Sequence, residues 1–212
     1  MPNRYSSLAI SFISIIYLVG IIGISIPIHE DFVRLTPLNL LLSLGLVLFF
    51  HRRWQKSTVL VLFAIYLLTW LAEYIGVNTG LLFGNYAYGS VLGPKIGGTP
   101  LMIGINWVLL SYTVATFLTW IGVSKNCLLN SLLGALLLTG IDVLIEPVAM
   151  ALDFWQWEGD TVPLQNYLGW FAVAFPVMFM YFFFGIAEKN KLALTLLILQ
   201  LIFFSVLQIT IV

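Results

Sequence analysis

The chain has 212 residues, of which 61% are hydrophobic and 8% charged, with nine basic and nine acidic side chains. Soluble domains carry roughly 25% charged residues, so this chain cannot cover a globule in water, and its balanced charge leaves no basic face for nucleic acid. One cysteine, Cys127, excludes an internal disulfide or thiolate cluster, and two histidines, His29 and His51, are too few for a histidine-rich metal site.

A helix needs about 20 apolar residues to cross the hydrocarbon core. In chain order, the segments 8–28, 37–51, 57–75, 99–122, 127–149, 166–187 and 191–211 approach that length, the second being short. The first follows Arg4 as a signal peptide would. Its apolar run is too long for one and lacks a small-residue cleavage site, so it reads as a span. The expected fold is all-α: one integral membrane domain over residues 1–212, a polytopic bundle of about seven transmembrane helices. Arg4, Arg52, Arg53, Lys56, Lys125, Lys189 and Lys191 fall at one set of helix ends, and only Arg34 and Lys95 at the other. That bias places the N-terminus in the cytoplasm and the C-terminus outside, across the cytoplasmic membrane. The loops 76–98 and 150–165 then face outward.

Those loops are alike. After Glu73 comes Phe83-Gly84-Asn85-Tyr86-Ala87-Tyr88, then Pro100-Leu101 and Trp107. After Asp142 and Glu146 comes Phe154-Trp155-Gln156-Trp157, then Pro163-Leu164 and Trp170. Each tryptophan stands seven residues past its proline, and the two hairpins read as parallel repeats, whose interface is a place for a site. A carboxylate inside a span costs about 2.5–3.5 kcal/mol on insertion scales, which makes Glu73, Asp142 and Glu146 functional candidates. At about 1.5 Å of rise per residue, all three fall in the outer half of the bilayer, with Asn106, Trp107 and Trp170 at similar depth. A site between spans three and six is expected, with Asn106, Trp107, Asn166, Tyr167 and Trp170 as candidate substrate contacts.

Plainer roles stand beside these. Asp142 and Glu146, four residues apart on one helix face, are placed to bond neighbouring helices. Trp155, Trp157, Tyr86 and Tyr88 are expected as interfacial anchors. Asp153, Glu158 and Asp160 are expected as a solvated loop, and Pro147 and Pro176 as helix kinks. The glycines of 76–98 imply a tightly turned loop without phosphate-binding spacing.

Two carboxyls close together in low dielectric cannot both ionise cheaply, so one keeps its proton and serves as acid beside a base. Tryptophan faces stabilise a nearby cation. An acid, aromatic walls and no metal or cofactor motif suit protonation of an alkene in an apolar lipid drawn from the bilayer. A retinal protein is disfavoured because no lysine lies inside the last span. A proton-coupled transporter would spread its acids through the membrane's depth, whereas these cluster in one half. A cyclase quenching the cation by proton loss, and a lipid- or carotenoid-binding scaffold, stay open.

The segments Glu73-Tyr74-Ile75-Gly76-Val77-Asn78-Thr79-Gly80, Phe83–Tyr86 and Leu92-Gly93-Pro94-Lys95 resemble the first motif of the carotenoid biosynthesis protein family. Asp142–Ala149, Trp155–Trp157 and Pro163–Phe171 are similar to its second. The resemblance covers about residues 60–187, and the family includes carotenoid 1,2-hydratases. It implies cofactor-free addition of water to the terminal 1,2 double bond of an acyclic carotenoid. One of Glu73, Asp142 and Glu146 would be the acid, the cation would face Trp107 or Trp170, and a second carboxylate with Asn106 or Asn166 would position the water. The implied partners are the polyene substrate, water and the lipid bilayer, with other carotenoid-pathway enzymes as candidates for substrate hand-over.

Overall fold

The computed structural model describes residues 3–26 and 29–212, apart from the side chains of Asn3, His29 and Glu30. The end of the first expected span, residues 27 and 28, and the His29 side chain lie outside the described residues. Among the described residues, seven helices are long and apolar enough to cross a membrane. In the bilayer every backbone polar group must be paired internally, and for such apolar segments the helix does this. They are α1 (Asn3–Ile24), α3 (Thr36–Phe49), α4 (Lys56–Thr79), α5 (Leu101–Ile121), α6 (Cys127–Ala151), α7 (Leu164–Phe183) and α8 (Lys191–Thr210). A short α2 (His29–Val33) leads into α3, and together they supply the 19-residue span Asp31–Phe49, which corrects the short second span expected from sequence.

Helix ends follow local chemistry. Asn126 caps α6 by accepting from the Leu129 N–H at 3.1 Å, and Asn190 caps α8 by accepting from Leu192 and Ala193 at 3.1 and 3.2 Å. Gly80 and Gly122 close α4 and α5 in left-handed conformations that side chains disfavour. Pro147 and Pro176 lie within α6 and α7. The bundle is centred on α5, the most buried span, while α1 and α3 are the least buried. The most extensive helix interface joins α6 to α7, where Gly134 admits the Met178 side chain.

Both long loops gather at one end, the loop end, and pack on each other. The first holds strands β1 (Tyr86–Tyr88), β2 (Lys95–Ile96) and β3 (Thr99–Pro100), and the second holds β4 (Trp155–Trp157). β2 and β3 form a tight hairpin turned by Gly97 and Gly98, both at positive φ, as a two-residue turn of this twist requires. β1 and β4 pair antiparallel, with Tyr86 opposite Trp157, Ala87 opposite Gln156 and Tyr88 opposite Trp155. Phe83, 1% exposed, locks the first loop between α4 and α7. A Cβ at Gly76 would come 2.6 Å from its ring and one at Gly169 2.7 Å, so glycine is needed at both contacts.

Candidate active site

The strand pair brings the two hairpins' acids and aromatics to one place. Glu73 sits six residues before the end of α4 and Glu146 five before the end of α6, so the two carboxyls lie at matched depth beneath β1 and β4. Both are buried, as is Asp142. An uncompensated buried carboxylate would be very costly, so its donors decide what it can be.

Glu73 has three. Tyr86 and Tyr88 donate their hydroxyls to Oε2 at 2.5 and 2.7 Å, and Trp107 donates its indole N–H to Oε1 at 2.9 Å. Burial and the adjacent Glu73 carboxylate push both tyrosine phenols well above their ordinary value of 10.0, so they remain donors at neutral pH. Glu146 also has three. Trp155 and Trp157 both donate to Oε2 at 2.8 Å, and Asn166 Nδ2 donates to Oε1 at 3.0 Å. Hydrogen bonds to charged groups contribute about 1.5–3 kcal/mol each, which is enough to hold a buried carboxylate. Asn166 Nδ2 also donates to Asp142 Oδ2 at 2.8 Å, while Asp142 Oδ1 is buried and finds no partner among the described residues.

Between Glu73 and Glu146 lies a cavity of about 20 Å³, bounded by Phe83, Tyr86, Trp157, Asn166 and Trp170 among others. That is room for about one water molecule. Trp170, which lines the cavity, stacks on Trp107 with centroids 4.0 Å apart and planes 22° apart, so a ring from the other hairpin backs this tryptophan wall. Tyr86 lies over Trp157 at 4.9 Å. The whole is a carboxylate pair in an aromatic box. Among the described residues, no three His, Cys, Asp or Glu side chains converge as a metal-binding group.

The structure brings together Glu73, Glu146, Trp107, Asn166 and Trp170, with Asp142 behind Glu146 and off the cavity wall. Two expected contacts are placed differently. Asn106 lines a neighbouring apolar crevice instead, and half-buried Tyr167 gives no hydrogen bond to the acids among the described residues. The expectation that Trp155, Trp157, Tyr86 and Tyr88 are interfacial anchors is overturned, because all four indole and phenol donors are spent on the two glutamates. Their period-two spacing, Tyr-x-Tyr and Trp-x-Trp, was the available signal, since alternate residues of a strand share a face. Nor is Glu158 merely solvated. It accepts from Asn85 Nδ2 at 2.7 Å, and its N–H bonds the Asn85 carbonyl at 3.0 Å, clasping the loops together.

Fold and site define a polytopic membrane protein with a carboxylate pair buried in aromatic side chains at one end of its bundle. The sequence model of the carotenoid biosynthesis protein family matches residues 35–212, and the chain belongs to that family. The match extends beyond the two motifs to include α3 and α8. The chain is also similar to bisanhydrobacterioruberin hydratase of Haloarcula japonica, with 33% identity over 124 residues, or 55% of this chain and 42% of that protein. No solved structure matches.

Proposed function

We propose that this chain is a carotenoid hydratase that adds water to the terminal double bond of an acyclic carotenoid end group, using its own carboxyls and no cofactor. The observation that carries this reading is the one-water cavity between Glu73 and Glu146 inside the aromatic box. The similarity to the Haloarcula japonica hydratase agrees with it.

Donor chemistry divides the roles. Every partner of Glu146 is an N–H group, which donates and cannot accept, so Glu146 is the ionised member and the base. Two partners of Glu73 are hydroxyls, which can turn and accept, so Glu73 can carry a proton and is the acid. Glu73 gives its proton to C2 of the 1,2 double bond, and the π electrons form the new C–H bond and leave the cation at C1. The tertiary cation faces the tryptophan wall. Water forms the C–O bond as Glu146 takes one of its protons, and transfer of that proton back to Glu73 closes the cycle. Atoms balance as alkene plus water to tertiary alcohol. Asp142 acts through Asn166 and positions Glu146.

The basic side chains gather at the end opposite the site, which supports placing that end in the cytoplasm and the site toward the outer leaflet. The test is expression in a host that accumulates an acyclic carotenoid, with pigments separated by chromatography and weighed by mass spectrometry. A more polar pigment heavier by one water is expected from the parent chain and not from Glu73→Gln or Glu146→Gln. An unchanged mass with a shifted spectrum would assign cyclisation instead. Full yield from both variants would remove the mechanism.

A further inference from the structure

The carboxylate cavity holds about one water and is closed at the loop end by the β1–β4 ladder, so a hydrocarbon must approach from elsewhere. Beside it lies a second cavity of about 80 Å³, at membrane depth, between α1, α3, α5, α6 and α8. Ile24, Leu40, Ile145, Phe203 and Phe204 supply much of its apolar lining. Ile103 and Trp155 line both cavities. Trp155 therefore has two duties: its N–H holds Glu146, and its ring walls the apolar crevice.

We propose that this crevice is the seat of the isoprenoid chain, from which the terminal double bond is presented to the acids at the Ile103–Trp155 partition. This inference rests on the hydratase reading and adds to it that α1, α3 and α8 form the substrate side of the site. Three observations carry it. The crevice is lined mainly by apolar side chains, and its polar members, Tyr17, Thr36, Asn39, Asn106 and Gln200, are all uncharged, which suits a hydrocarbon and not a charged solute. It is continuous in its lining with the acid cavity. Its outer walls, α1 and α3, are the least buried spans, so a chain in the bilayer reaches it without crossing the polar loops. Asn106 lines this crevice, so it contacts the chain rather than the attacking water. Leu40 and Phe203 are specificity-determining residues, because they line the space offered to the chain from two different helices, α3 and α8.

The test compares Leu40→Trp, which fills the crevice, with Leu41→Trp, one residue on and 48% exposed. Each is made in the parent chain, where product is read, and in the Glu146→Gln chain, where unconverted carotenoid copurified per protein is read by absorption. Leu40→Trp is expected to lower both by about tenfold or more, equivalent to about 1.4 kcal/mol of binding, with Leu41→Trp near the parent. Equal pigment and product from the two overturns the seat while leaving hydration standing. A parent chain without product, whose pigment retention still falls in Leu40→Trp, keeps the seat and removes hydration. Should Leu40→Trp fail to fold, Phe203→Ala is read the same way: lowered retention supports the seat and unchanged retention overturns it.

Discussion

The α4–α5 and α6–α7 hairpins meet as near equivalents and differ where chemistry needs a difference. Each brings one glutamate to the same depth, one Tyr-x-Tyr or Trp-x-Trp strand above it, and one tryptophan to the Trp107–Trp170 stack. The first hairpin surrounds its acid with two phenols and an indole, the second with two indoles and an amide. Phenols can donate or accept, whereas indole and amide N–H groups only donate. On the proposed roles, one scaffold thus yields a carboxyl able to hold a proton and a carboxylate favoured in its ionised form. The surroundings, not the residue type, set the role, as in other two-carboxylate sites.

Removing the base should break this comparison most severely. Glu146→Gln sets an amide against three donors and is expected to lower the hydrated pigment formed per protein by about 10²–10⁴-fold, the usual range for a general base. Next come the phenols. Tyr88→Phe removes one of the hydrogen bonds to the Glu73 carboxyl, about 0.5–1.5 kcal/mol, and is expected to reduce product formation by up to about tenfold, as measured in isolated membranes. A Tyr86→Phe/Tyr88→Phe chain with full activity would sink the role split, because Glu73 would then need no partner able to accept. Asp142→Asn should have a smaller effect, under about tenfold, since Asp142 is bonded to Asn166 and lies off the cavity wall. A loss as large as that of Glu146→Gln would move Asp142 into the reaction itself.

The smallest effect concerns pH. The phenols of Tyr86 and Tyr88 lie above their ordinary value of 10.0 in the folded chain, so the unfolded chain ionises first as pH rises. Their contribution to stability is whole below pH 10 and declines only above it. Melting temperature followed with pH should show no phenol-linked fall between neutrality and 10, and a phenolate absorbance there that vanishes in Tyr86→Phe would contradict the site.

The spans and the three acids were legible in the sequence because a bilayer leaves few choices: apolar length, basic flanks and costly buried charge each leave a one-dimensional trace. Thus α4 to α8 fall within a few residues of the expected segments, and Glu73, Glu146, Trp107, Asn166 and Trp170 do converge. The β1–β4 pairing was not legible, since it joins strands of three residues almost 70 positions apart, and no local pattern encodes that register. Without it the four strand aromatics looked like anchors. The second span was misjudged because Asp31 and Arg34 interrupt an apolar count that the folded α2–α3 segment tolerates near its end. Tyr17, Asn39, Ser43 and Gln200, which come together in three outer helices, show the same blindness to residues joined only by tertiary packing.

On the proposed reading, water enters the carotenoid between Glu73 and Glu146. Membranes carrying the chain and an acyclic carotenoid, incubated in heavy-oxygen water and analysed by mass spectrometry, test it most directly. The expected product carries the heavy isotope as its new oxygen, is formed by the parent chain and is absent with Glu146→Gln. A product carrying ordinary oxygen, or equal labelling with Glu146→Gln, would contradict it.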